Sequence, residues 1–192
     1  ANCGGYTDTT DTAWGFVSTL PAVADPLLSD QGAPLPPDEL ARWLADRPVT
    51  FSSDPNYSSR SAYRWQLWVP RQEIEQRLDL GASLGTLLAI VPGSRGVSGR
   101  VREVRIRGTA GEYTIRGDAI RRRLGGLRSN LFTVVPKLDR DGLPQYFVFT
   151  GGGWGHGVGL CQSGAAGMAA AGYTAEQILS HYYGGAPLQK LY

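Results

Sequence analysis

Between residues 151 and 159 the chain reads Gly-Gly-Gly-Trp-Gly-His-Gly-Val-Gly, six glycines in nine positions. No other segment restricts the fold as strongly. Glycine loses more backbone freedom on folding than any other residue and has no side chain to bury, which argues against a packed strand here. The run therefore predicts backbone at positive φ, or main chain that a ligand touches directly. His156 stands between two of these glycines, so its imidazole is open to a partner on nearly every side. Trp154 offers a flat apolar face of the kind that stacks on a sugar ring. A histidine satisfied within a tight turn is the plainer reading of a lone His, but the glycine setting favours an exposed, functional ring. The other histidine, His181, lies beside Tyr182 and Tyr183 and reads as structural.

The residues just after the run narrow the chemistry further. Positions 163–172 are almost all small, which predicts a helix that lets another backbone come close, or one whose first N–H groups meet an anion. A phosphate loop of the Walker kind is excluded, because the segment has no Gly-Lys-Ser/Thr and no lysine. The glycine spacing also fails the dinucleotide fingerprint, and no βαβ unit comes after it.

The rest of the composition is that of an ordinary folded protein, with 42% hydrophobic and 19% charged residues over 192 positions. That length supports one domain with a real core, or two small lobes sharing a cleft. No apolar run approaches the roughly 18 residues that a membrane span needs. Ala1 is not preceded by a visible leader, so a signal peptide or anchor is expected only in a segment upstream. Net charge is +2, yet residues 95–140 hold 12 Lys or Arg against 4 Asp or Glu. Such a stretch suits nucleic acid, an anionic wall polymer, or simply a solvated face. Cys3 and Cys161 stand at opposite ends of the chain. Free core thiols rank first for them, a disulfide second and shared metal ligation third.

Periodicity and punctuation predict the elements. Residues 1–31 read as loop and extended chain, with Trp14, Phe16 and Val17 as buried anchors. Gln31–Pro37 is a connector, and Pro37 opens a helix to Asp46 with Leu40, Trp43 and Leu44 on its apolar stripe. Strands are expected over Arg64–Val69, Thr86–Val91, Val101–Arg107, Glu112–Arg116, Leu131–Val135 and Gln145–Thr150. Asp141-Gly142 turns the last pair into a hairpin. Helices are expected over Pro70–Leu78, from Asp118 to Leu124, over Gln162–Ala171, and from a capping box at Thr174–Gln177 to Tyr183. Hairpins outnumber βαβ units, so the class is α+β: mainly antiparallel strands and hairpins with short helices, sharing one substrate cleft. Residues 1–192 read as a single domain.

Taken together, Gly153-Trp-Gly-His-Gly-Val-Gly159, Gln162-Ser-Gly-Ala165, Met168-Ala169, Gly172, Ile178-Leu179 and His181-Tyr-Tyr183 resemble the C-terminal signature of the SpoIID/LytB family. Cys3-Gly-Gly-Tyr-Thr7 is similar to that family's Cys-Gly-Gly-x-Thr element, Trp14 falls where a Trp commonly follows it, and Arg128-Ser129 before Phe132 resembles its Arg-Ser-x-x-Phe element. The similarity extends from about residue 3 to residue 187. It implies action on bacterial peptidoglycan outside the cytoplasm, in the wall, periplasm or forespore envelope. Members cleave the glycan strand as lytic transglycosylases that leave 1,6-anhydro ends, and related members enhance wall amidases. The resemblance implies supporting catalytic roles for His156 and Gln162. It implies substrate contacts at Cys3, Gly4, Gly5, Thr7, Arg128, Ser129, Trp154, Gly155, Gly157, Gly159 and Tyr182. Some relatives carry zinc on Cys and His ligands, for which Cys3, Cys161 and His156 are the candidates here, although the chemistry requires no cofactor.

Transglycosylation is an economical reaction. An acid protonates the leaving oxygen, and the sugar's own C6 hydroxyl attacks the oxocarbenium-like centre, so no second carboxylate has to hold a water. In the family that acid is a glutamate on a helix upstream of the Cys-Gly-Gly element, a part absent from residues 1–192. Glu73, Glu75 and Glu176 have the spacing of solvated helix residues and are not expected to replace it. A glycan-cleaving enzyme is thus the leading expectation, with its acid upstream. A non-catalytic peptidoglycan-binding or amidase-enhancing module is second. Nucleic-acid binding through the arginines is last, since no nucleic-acid motif or interleaved aromatics accompany them.

Overall fold

A computed structural model describes residues 1–25, 36–187 and 189. In chain order the elements are α1 (Thr10–Trp14), α2 (Pro37–Asp46), α3 (Arg60–Tyr63), β1 (Arg64–Pro70), α4 (Arg71–Leu78), β2 (Leu87–Pro92), β3 (Glu103–Gly108), β4 (Glu112–Arg116), α5 (Ala119–Arg123), β5 (Phe132–Leu138), β6 (Pro144–Gly152), α6 (Gln162–Ala170) and α7 (Ala175–Tyr182). Two three-stranded antiparallel sheets result, ordered β1-β6-β5 and β2-β3-β4. The fold is α+β with short helices. The expected Gln31–Pro37 connector falls largely outside the described residues.

Alternation in the strands explains the main core. Trp65 and Val69 of β1, Val104 and Ile106 of β3, and Phe147 and Phe149 of β6 turn inward, where they meet Ile74 and Leu78 of α4 and Ile120 of α5. Phe132 and Phe149 pack edge to face with centroids 5.5 Å apart. A separate trio, Leu40, Leu44 and Leu131, fastens α2 to the residue that leads into β5. A third cluster, of Cys3, Cys161, Met168, Ile178 and Tyr182, holds α6 and α7 against the N-terminal segment. The α7 start is the capping box that the sequence announced, with the Thr174 and Gln177 side chains exchanging hydrogen bonds with each other's backbone.

The structure departs from the sequence-based expectation in two places that matter for the site. Trp14, Phe16 and Val17 are not buried anchors; they are 46%, 57% and 89% exposed. α1 buries Thr10, Thr12 and Ala13 instead, because the Thr12 hydroxyl donates to the buried Asp8 carboxylate at 2.9 Å. Gly15 then ends the helix at φ 78° and turns the aromatics outward. The second departure lies in the glycine run, whose first two residues do belong to a strand. Gly151 and Gly152 end the central strand β6. The Trp65 indole lies where a Gly151 side chain would be, and Arg64 and Leu44 press on Gly152. Here glycine marks close approach by neighbouring side chains.

Candidate functional site

The loop from Gly153 to Leu160 joins β6 to α6, and the N-terminal segment holds it from one side. Asn2 and Trp154 exchange both backbone hydrogen bonds, at 3.0 and 2.8 Å. Asp8 donates its N–H to the Gly157 carbonyl at 2.8 Å, Gly153 donates to Tyr63, and Gly155 donates to Arg128. The two ends of the sequence therefore meet at this loop, and each backbone bond fixes one of its turns.

Beneath the loop lies Arg100, a fully buried guanidinium. It donates to the Tyr6 carbonyl at 2.8 Å, the Ser98 hydroxyl at 2.8 Å and the Cys3 carbonyl at 2.7 Å. Asp8 is the negative charge that acts on it most strongly. A side chain at Gly157 would overlap the guanidinium, and the residue sits at φ 77°. The glycine is required on both counts. A second buried arginine, Arg64, donates to the Gly4 carbonyl at 2.9 Å and lies over the rings of Trp43 and Tyr63. Its burial draws its pKa down to about 10. Neither arginine stood out in the sequence. Nothing local distinguishes a buried Arg from a surface one; only the carbonyls that surround it do.

His156 is exposed at the crest of the loop. Its Nδ1 accepts the Val158 N–H at 3.0 Å, so the neutral ring carries its proton on Nε2. Among the described residues Nε2 has no hydrogen-bond partner. The ring packs on Trp14, with centroids 4.9 Å apart and tilted by 43°. This contact strips water from one face and, with Arg100 and Arg121 nearby, lowers the imidazole pKa below its usual value. Trp154, half exposed, lies two residues away with the Arg128 guanidinium over its ring at 4.8 Å. A neutral N–H donor thus stands beside the Trp14 ring, with the half-exposed Trp154 two residues away.

Other residues singled out from sequence lie below this surface. Cys3, Gly4, Gly5, Thr7, Ser129, Gly159 and Tyr182 are buried. The Thr7 hydroxyl is bonded to the Val23 backbone, and the Ser129 hydroxyl donates to the Gly152 carbonyl at 2.5 Å. They lie beneath the exposed face of the loop and shape it from below. Arg128, Trp154, Gly155 and Gly157 do reach the surface layer. Gln162 is exposed on the first turn of α6, where its carbonyl accepts from the Ala1 amino group.

Cys3 and Cys161 are free, buried and in contact. Cys161 caps α6, and its sulfur accepts from the Cys3 N–H at 3.1 Å and the Gly164 N–H at 3.4 Å. The Cys3 thiol also donates to it, and together these bonds draw the Cys161 pKa down to about 7. Holding that proton, and buried, Cys3 moves well above the ordinary thiol range. His156 takes no part in this pair; its Nδ1 is occupied by Val158 and its ring is committed to Trp14. Among the described residues no three His, Cys, Asp or Glu side chains converge as a metal site requires. Cys3 and Cys161 touch each other while His156 packs on Trp14, so the structure does not bring the three expected ligands to one point.

The basic stretch is largely consumed within the fold. Arg102 pairs with Asp11 at 2.9 Å, Arg107 with Glu112 at 2.7 Å, Arg116 with Glu103 at 3.1 Å and Arg121 with Asp118 at 3.3 Å. Arg95 and Arg123 bond backbone carbonyls, and Arg100 is buried.

The fold and site together define an α+β domain that displays a neutral histidine and exposed aromatics on a glycine-built loop. Residues 38–159 match the family described as a domain of unknown function, DUF8618. That span covers well over half of the chain, from α2 through both sheets to the glycine loop, and the protein belongs to this family. No curated protein matches it.

Proposed function

We propose that this protein acts on the glycan strand of bacterial peptidoglycan, as part of a SpoIID/LytB-type lytic transglycosylase working outside the cytoplasm. One observation carries the reading. The two distant segments that resemble that family, Cys3–Thr7 and Gly153–Gly159, are zipped together by the Asn2–Trp154 and Asp8–Gly157 bonds, and His156 stands exposed above the seam. The contact supports the resemblance because sequence likeness in two remote segments gains meaning when they build one surface.

In this reading Trp14 and Trp154 stack on sugar rings, and the His156 Nε2–H donates to a sugar oxygen near the scissile bond. A lowered pKa suits that role, since the ring stays a neutral donor at pH 7 and does not compete for the proton an acid must deliver. The acid itself is assigned to a segment upstream of Ala1. Asp11, Asp118, Glu73 and Glu75 do not serve. The Thr9 hydroxyl and Arg102 hold Asp11 below the usual carboxylate range, so it is ionised at neutral pH. Asp118 is paired with Arg121. Glu73 is paired with Arg77, and Glu75 accepts the Leu87 N–H.

With these four carboxylates committed to other partners, a second reading is favoured too, a peptidoglycan-binding or amidase-enhancing module that cleaves nothing itself. Incubating the 192-residue chain, and separately its full gene product, with purified glycan strands tests both. Retention on glycan by both, with 1,6-anhydro ends released only by the longer protein, supports the first reading. Retention without such ends from either supports the second. No retention by either protein removes both.

A further inference from the structure

Beyond Trp14 the surface dips into a hollow of about 560 Å³, lined among others by Asp11, Trp14, Arg102, Glu103, Arg116 and Asp118. Its volume falls within the range of small-ligand sites, about 300–1,000 Å³. One wall is the Trp14 indole, backed by Phe16 in a near-parallel stack with centroids 5.9 Å apart and planes 13° apart. The Trp14 side chain also meets His156, so hollow and histidine share an aromatic ring. Holding two stacked aromatics in water has a cost that a partner would recover.

The hollow's charges select the partner. Each carboxylate already has its arginine: Asp11 has Arg102, Glu103 has Arg116, and Asp118 has Arg121 from just outside. The local sum is zero. An anion would face three carboxylates, and a cation would have to displace an arginine from its partner. An uncharged polyol has neither difficulty, because ion-paired carboxylates keep free lone pairs and guanidinium groups keep free N–H donors. An aromatic wall beside a fixed, neutral floor of donors and acceptors is the chemistry that takes a pyranose ring.

We propose that this hollow is a second saccharide subsite, which takes an uncharged sugar one or more rings along the strand from the sugar at His156. The proposal rests on the glycan reading above and goes further by assigning a place and a charge class. Arg102 and Phe16 are its test residues, since neither is part of the His156 contact.

The experiment titrates the wild-type chain with uncharged β-1,4-linked N-acetylglucosamine oligomers of increasing length, by calorimetry, with thermal melts to confirm folding. Affinity should rise on the order of tenfold at the length that first fills the hollow, equivalent to about 1.4 kcal/mol. Arg102→Met and Phe16→Ala should bind the shorter oligomers like wild type and lose the step. If the step persists in both folded variants, the subsite assignment is overturned while the glycan reading stands. If wild type binds no oligomer of any length, both fall. Should an acidic polysaccharide such as polygalacturonate bind with an affinity that Arg102→Met abolishes, the hollow is an anion site and the proposal is wrong. Should Arg102→Met not fold, Phe16→Ala decides alone.

Discussion

The guanidinium of Arg100 lies against the backbone of Gly157, occupying the space in which any other residue would place its Cβ. This single contact couples the buried support of the loop to the exposed histidine next to it. Arg100 ties down the Cys3 and Tyr6 carbonyls from below, while Gly157 accepts from Asp8 at the side. The exposed ring at position 156 inherits its position from this packing.

Gly157→Ala should therefore destabilise the protein by two additive routes. A left-handed backbone costs an alanine roughly 1–2 kcal/mol, and overpacking adds roughly 1–3 kcal/mol. Gly142→Ala is the control, since Gly142 has a similar φ of 78° with open space around it. Denaturant melts should show the smaller penalty at 142 and the larger at 157. Equal losses at the two positions would show that Arg100 yields freely.

Arg100→Met removes a buried charge, leaves the Cys3 and Tyr6 carbonyls and the Ser98 hydroxyl without their donor, and takes the counter-charge from Asp8. Breaking such a buried arrangement costs roughly 3–5 kcal/mol. The expected result is a large fall in the unfolding midpoint, together with loss of amide-exchange protection in residues 2–8. Local protection matching wild type would contradict this role for the buried guanidinium.

His156→Ala should leave stability within about 0.5 kcal/mol, as expected for an exposed side chain away from the core. Retention on glycan should nevertheless fall on the order of tenfold, because the N–H donor and the ring that packs on Trp14 are gone. His156→Gln, which keeps a donor, should recover part of the loss. Unchanged retention in both variants would separate this ring from the proposed surface.

His156 and His181 both titrate below their ordinary value in the folded chain. The unfolded chain, with histidines near 6.5, therefore takes up protons first as pH falls. Stability present above about 6.5 should be lost as pH drops through the lowered folded values. Thermal midpoints measured from pH 7.5 to 5 should decline, and less steeply in His156→Ala. A midpoint that rises on acidification in this window would reverse the sign.

The two thiols make a prediction at higher pH. Cys161 is depressed, so its contribution to stability appears as pH rises through about 7 toward the unfolded thiol value. Cys3 is raised, so its contribution is complete below the unfolded value and is lost as pH climbs above it. Stability should therefore peak between the two regimes, and Cys161→Ser should flatten the lower limb of the curve. Thiolate absorbance near 240 nm should show one thiolate forming near neutral pH. Two thiols titrating together at the ordinary value would refute the shared proton.

Much of the fold was legible because it depends on local order. Pro37 opens α2, Pro70 caps α4, and the alternation of Val104 and Ile106 marks β3, each from neighbours within a few positions. The capping box at Thr174 and the turn at Asp141-Gly142 are likewise local chemistry. The short α1 and α3 escaped notice because helices of four or five residues carry no periodicity to read. The exposed His156 was anticipated because its glycine neighbours are adjacent in sequence.

The chain by itself thus determined the order of its elements, the α+β class and the glycine loop, since hydrophobic period, caps and turns act over a handful of residues. Tertiary structure alone decided which arginines are buried, why Gly157 must be glycine, and that Trp14 faces water beside His156. Those outcomes depend on carbonyls and rings brought from more than fifty positions away, such as Cys3 to Arg100 and Trp14 to His156. Contacts over such separations are set by how the layers close on one another, and no local pattern records them.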